Sequence, residues 1–115
     1  MASITITGSD ASTNALTLSD HGVTETTRSE VVTWIIGRNS GVSSIANIFH
    51  DPNSTEVFNP LPGKMPGNST NWQGTVNPNL SFPPGQNQVV ESYTICWKDA
   101  SGNSHCFDPQ IRVNN

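Results

Sequence analysis

Two cysteines, three histidines and nine carboxylates carry whatever covalent, metal or acid–base chemistry this 115-residue chain could perform. Cys96 and Cys106 flank Asp99-Ala100-Ser101-Gly102-Asn103, which reads as a type I turn closed by a glycine bulge. Pairing Asp99 with Asn103 sets Lys98 opposite Ser104, Trp97 opposite His105 and Cys96 opposite Cys106. Counting outward from the turn makes the cysteines a non-hydrogen-bonded pair with Cα atoms ~4.5 Å apart, at the short end of disulfide geometry. In an oxidising compartment they would form a cross-strand disulfide; in a reducing one they would stay free thiols. The sequence leaves both open.

His21, His50 and His105 show no metal-ligand spacing. Cys96, Cys106, His105 and Met65 are the ligand types of a blue-copper centre. A cysteine pair beside one histidine is not the compact loop such a centre uses, so no metal is expected. Asp51-Pro52-Asn53-Ser54-Thr55-Glu56 offers oxygen ligands for calcium in one loop. It lacks the EF-hand order, and Asp-Pro-Asn is a turn signal, which is the preferred reading. No Gly-x-Ser-x-Gly elbow marks a nucleophile, and a domain this small offers little cleft for a glycosidase carboxylate pair. An enzyme is not expected. Asn53-Ser54-Thr55 and Asn68-Ser69-Thr70 match the glycosylation pattern but carry no weight in a chain this rich in Asn and Ser.

Aromatic residues offer binding chemistry instead. Trp72 stands between Asn71 and Gln73, after a long loop. An indole face stacks on the apolar side of a sugar ring while amides satisfy its hydroxyls. The expected ligand-binding residues are Asn71, Trp72 and Gln73, with Asp99 and Asn103 of the turn. The opposing reading is that Trp72 plugs one end of the domain. Trp34 lies in the most apolar run and reads as core; Trp97 lies on the inward face of the hairpin, near enough to its open end to reach the rim.

These residues must be carried by strands. No stretch shows a 3.6-residue period, and short β-rich runs alternate with Gly, Pro, Asn and Asp. The expected strands are residues 3–7, 15–19, 30–36, 43–49, 71–76, 89–98 and 105–113, with a short one at 56–58. Residues 59–71, with three prolines and two glycines, read as a loop. The expected fold is all-β, one Greek-key sandwich of seven to eight strands spanning residues 1–115, immunoglobulin-like or jelly-roll-like. Its expected core is Ile4, Ile6, Leu16, Leu18, Val32, Trp34, Ile45, Phe49, Tyr93, Ile95, Phe107, Ile111 and Val113.

Composition removes other classes. Charged residues are 12% of the chain and the net charge is −4, with only five Lys and Arg. No basic patch exists for nucleic acid, and an anionic membrane surface is disfavoured on the same ground. No apolar run reaches the ~18 residues of a membrane span. Met1-Ala2-Ser3 leads straight into alternating residues, which fits a cytoplasmic protein or a secreted one whose signal peptide is not in this sequence. Low charge also weakens the defence of edge strands against self-pairing, so a homo-oligomer is plausible.

Three stretches resemble a known family. They are Ser29-Glu30-Val31-Val32-Thr33-Trp34, then Trp72-Gln73-Gly74-Thr75-Val76, and the ending from Tyr93 to Val113 with Phe107-Asp108-Pro109-Gln110-Ile111. Their order is similar to that of the bacterial inclusion-body protein family. The resemblance implies a jelly-roll or immunoglobulin-like sandwich and, for some members, sugar binding; it identifies no ligand residue. The functional expectation is a non-enzymatic, lectin-like module that binds carbohydrate. The alternative is a structural, self-assembling protein whose partner is another protein.

Overall fold

In the computed structural model, which describes residues 2–67 and 69–115, the β-branched and aromatic runs fold into ten strands and no helix. They are β1 (Ala2–Asp10), β2 (Ala15–Leu18), β3 (Val23–Thr27), β4 (Val31–Ile36), β5 (Val42–His50), β6 (Gly63–Lys64), β7 (Trp72–Thr75), β8 (Gln88–Asp99), β9 (Ser104–Phe107) and β10 (Gln110–Asn114). One sheet runs β2-β1-β4-β7-β6. The other runs β3-β10-β8-β5, with β9 paired to the end of β8 nearer the hairpin turn. Both are mixed, because β1 runs parallel to β4 and β10 to β3. The two sheets pack together as a β-sandwich.

Ten strands among the described residues exceed the seven to eight expected, for local reasons. β3 is illegible to hydrophobic alternation because its inward positions are threonines. Thr24 and Thr26 are buried, and their hydroxyls donate to the Asp20 carboxylate and, at 3.0 Å, to the Arg112 carbonyl. β6 is a two-residue edge inside the proline-rich segment, paired with β7. Residues 105–113 divide into β9 and β10 at Asp108-Pro109, where proline brings no N–H to the ladder. Residues 56–58 form no strand; Phe58 makes a single bridge to Val76.

Trp34 and Trp97 are fully buried. At about 25 cal/mol per Å², each indole contributes roughly 4–6 kcal/mol of gross transfer free energy. Trp34 packs on Phe58 and Tyr93, and its Nε1–H donates to the Tyr93 hydroxyl at 3.2 Å. Trp97 does not reach the rim. The β1–β2 turn closes over it, and its Nε1–H donates to the Asn14 carbonyl at 3.2 Å.

Phe49 is a second correction: expected in the core, it is 41% exposed. Simple alternation from Ile45 would turn residues 47 and 49 inward. A bulge between Ile45 and Asn47 shifts the register, so Ile48 faces the core and Phe49 faces out. Phe107 is partly buried and packs against the core's edge.

Gly37 allows β1 and β4 to stay close where their pairing ends, at Ile6 and Ile36. Its N–H donates to the Ile6 carbonyl at 2.9 Å, and a Cβ there would lie 2.4 Å from that same oxygen. Gly37→Ala is expected to cost about 1–3 kcal/mol, read as a lower thermal midpoint. An unchanged midpoint would mean that the end of this pairing opens at no cost.

Candidate functional site

The β8–β9 hairpin pairs Lys98 with Ser104, Trp97 with His105 and Cys96 with Cys106. Gly102, with φ +86°, donates its N–H to the Asp99 carbonyl at 3.0 Å and closes the bulged turn. Asp99 Oδ2 faces His105 Nε2 at 2.8 Å, while Oδ1 accepts the Asn103 and Ser101 N–H groups at 3.1 and 2.8 Å. The His105 ring and those amides hold the carboxyl below the usual carboxylate range. His105 stacks on Trp97, and its Nδ1 lies 2.7 Å from Asn14 Oδ1. Both Asp99 oxygens are therefore engaged in bracing the hairpin.

Trp72 pairs directly with the inward-facing Trp34, so its ring turns to the inner face and packs, half-buried, against the core. Gln73 points the other way and donates to Thr33 Oγ1 at 3.1 Å. Asn71 sits at the mouth of the proline-rich loop, its carbonyl accepting the Met65 N–H at 2.9 Å. Trp34 is level with Tyr93. Asp99 lies six residues further along β8, on the order of 20 Å away at ~3.3 Å per residue. The five expected ligand residues thus fall into two groups on different sheets and do not form one site.

Cys96 and Cys106 are joined by a disulfide on the outer face, with Cα atoms 4.1 Å apart. No thiolate remains for the copper-type ligand set. Among the described residues no group of three or more His, Cys, Asp or Glu is placed to hold a metal. The Asn68 of the second glycosylation pattern lies outside the described residues. Replacing both cysteines with serine is expected to lower stability by roughly 2–3 kcal/mol, the contribution of a short closed loop. Chemical denaturation of the variant beside the oxidised parent checks this, and coincident curves would refute it.

A different group gathers on the outer face of the second sheet. The β5 bulge sets Phe49 opposite Thr94, with Cβ atoms ~4.5–5.5 Å apart. Thr94 Oγ1 lies 2.6 Å from Asp51 Oδ1 and 3.2 Å from Asp108 Oδ1. Burial, and then the hydrogen bond and negative charge of Asp51 beside it, raise the Asp108 carboxyl above its ordinary value. The Asp51 N–H donates to the Ser92 carbonyl at 2.9 Å, and the Ser92 N–H donates to Ser54 Oγ at 2.8 Å. These bonds stitch residues 51–55 to β8 and leave an open cleft of about 440 Å³ walled by Asp51, Asn53, Ser54, Thr55, Val90 and Ser92. A second cleft of about 320 Å³ shares Thr55 and Val90 with it.

The loop is anchored from beneath by Glu91, which is 1% exposed. Its Oε2 accepts the Val57 N–H at 2.7 Å. Burial, and then the hydrogen bond that protonated Glu91 donates to the Glu56 carboxylate, push the Glu91 pKa up to about 9, so Glu91 is protonated at neutral pH. Glu56 in turn meets His50 Nδ1 at 3.0 Å. A buried acid thus holds one side of the loop whose other side walls the cleft.

Of this group, sequence reasoning reached only the oxygen-rich loop from Asp51 to Glu56, as a turn that calcium could use. Phe49, Val90, Ser92 and Thr94 gave one signal: outward positions of two long strands that carry small polar and apolar residues in place of charges. The geometry defines a sandwich with an open, polar cleft on one face, and the exposed Phe49 stands on that same face. No protein-family model matches the chain, and no curated protein matches it.

Proposed function

We propose that the chain is a non-enzymatic carbohydrate-binding module whose site is the cleft between the loop at residues 51–55 and the outer face of β8. The observation that carries this is the exposed Phe49 ring on the same sheet face as the cleft, paired with Thr94, whose hydroxyl bonds the Asp51 carboxylate of the cleft wall. A sugar ring has an apolar face and a polar rim. Phe49 supplies a surface for the face; Asn53, Ser54, Thr55 and Ser92 supply amide and hydroxyl groups for the rim. The cleft wall carries no Lys or Arg, which disfavours anionic ligands.

The same reading takes the sandwich as a Greek-key domain of the immunoglobulin-like or jelly-roll kind. The five connections that cross between the sheets, β2–β3, β3–β4, β4–β5, β5–β6 and β7–β8, support it. The resemblance to the inclusion-body protein family points the same way. Self-assembly through the β5 edge is the weaker reading. Two bulges distort that edge, and Asn47 Oδ1 caps the Ile48 N–H at 3.0 Å, which blunts it as a template for a second chain. A glycan-array screen of the folded protein, with calcium and with chelator, tests the proposal. Saturable binding to neutral glycans is expected in both conditions; a blank array would overturn it.

A further inference from the structure

The two clefts meet at Val90, which is 41% exposed and walls both, as does Thr55. Each lies near the small end of the ~300–1,000 Å³ range of small-ligand sites. Each is also open, so neither encloses a ligand by itself. Their chemistry repeats. The first offers Asn53 and Ser92 beside Val90; the second offers Ser81, Gln86 and Gln88 beside the same valine. The sequence of groups along the surface is therefore polar, apolar, polar. Asp51 is the one ionisable group in either lining.

The far wall is held in place before any ligand arrives. Arg28 stacks over the Phe82 ring at 4.3 Å and donates from Nε to the Leu80 carbonyl at 2.9 Å, fixing the chain that carries Ser81 and Pro83. Gln88 Nε2 donates to Asn114 Oδ1 at 2.8 Å. Walls fixed in advance lower the ordering cost of binding.

We infer that the ligand is an extended, neutral oligosaccharide of at least two linked units, which crosses Val90 and seats one unit in each cleft. This rests on the carbohydrate-binding reading above and specifies it. Linked units bind as one, so affinity rises with chain length until both clefts are filled. Titration calorimetry with neutral gluco-, manno-, xylo- and chito-oligosaccharides of one to six units tests this, with Asn53→Ala and Gln86→Ala alongside. Both side chains are exposed, so both variants fold.

The expected result is at least a ~10-fold gain from one unit to three in one of the four series, followed by a plateau. Gln86→Ala should abolish the gain; Asn53→Ala should weaken every length. Affinity independent of length, or a length gain that Gln86→Ala leaves intact, would overturn the extended-ligand inference while carbohydrate binding stands. No binding by any series would overturn both.

Discussion

Glu91→Gln is expected to make the protein more stable than its parent, by a margin that grows with pH. Glu91 is buried, and its folded pKa of about 9 stands well above the ordinary 4.5 of a free glutamate. A raised pKa means that the folded state holds a proton which the unfolded chain releases. The stability this contributes is fully present below about pH 4.5 and is lost progressively as pH rises toward 9. The groups around Glu91 make the effect large: Glu56 from the loop and Asp51 just after β5 both add negative charge beside it. Glutamine keeps an oxygen to accept the Val57 N–H and adds a permanent donor toward Glu56, with nothing to ionise. The two proteins should unfold alike near pH 4.5 and differ by roughly 4–5 kcal/mol by pH 8. Parallel stability curves from pH 5 to 9 would show that Glu91 holds no proton in the fold.

Phe49→Ala is expected to weaken glycan binding by at least ~10-fold, about 1.4 kcal/mol, with little change in stability. The ring is 41% exposed, so its removal opens no large core cavity. A ring that stands out of a sheet beside a polar cleft gains its contact area only when something lies over it. Phe49→Trp should retain or improve affinity, because the larger face stacks better. Titration of both variants with one glycan separates this role from packing. Equal affinity for parent and Phe49→Ala would remove Phe49 from the site.

The contrast between Phe49 and the hairpin shows what was legible in the sequence. The turn at Asp99-Asn103 fixes a register through local chemistry, so the facing of Cys96 and Cys106 followed from counting. The strands that alternate, β1, β2 and the long β8, were legible from their period, and β4 from its nearly unbroken apolar run. Counting fails where the backbone inserts a residue, and the bulge before Asn47 reversed the facing of Phe49. It also fails where threonine replaces an aliphatic on the inner face, as in β3.

The site was less legible than the fold. Its parts come from the end of β5, the loop after it, β8 and Asp108, which topology alone brings together. Trp72 drew the eye because amides flank a large aromatic, yet its direct pairing with Trp34 turns it to the inner face. Glu91 offered nothing in sequence beyond a charged residue in an alternating strand. Only its place on the inner face of β8, under Val57, shows it to be an acid held protonated.

Amide chemical-shift mapping during titration with a glycan that the array selects would locate the binding surface residue by residue. Shifts should concentrate at Phe49, Asp51, Asn53, Thr55, Ser92 and Thr94, with the amides around Trp72 and the Asp99–Asn103 turn unmoved. Shifts centred on Trp72 or on that turn, or an unperturbed spectrum at saturating glycan, would contradict the assignment of this cleft.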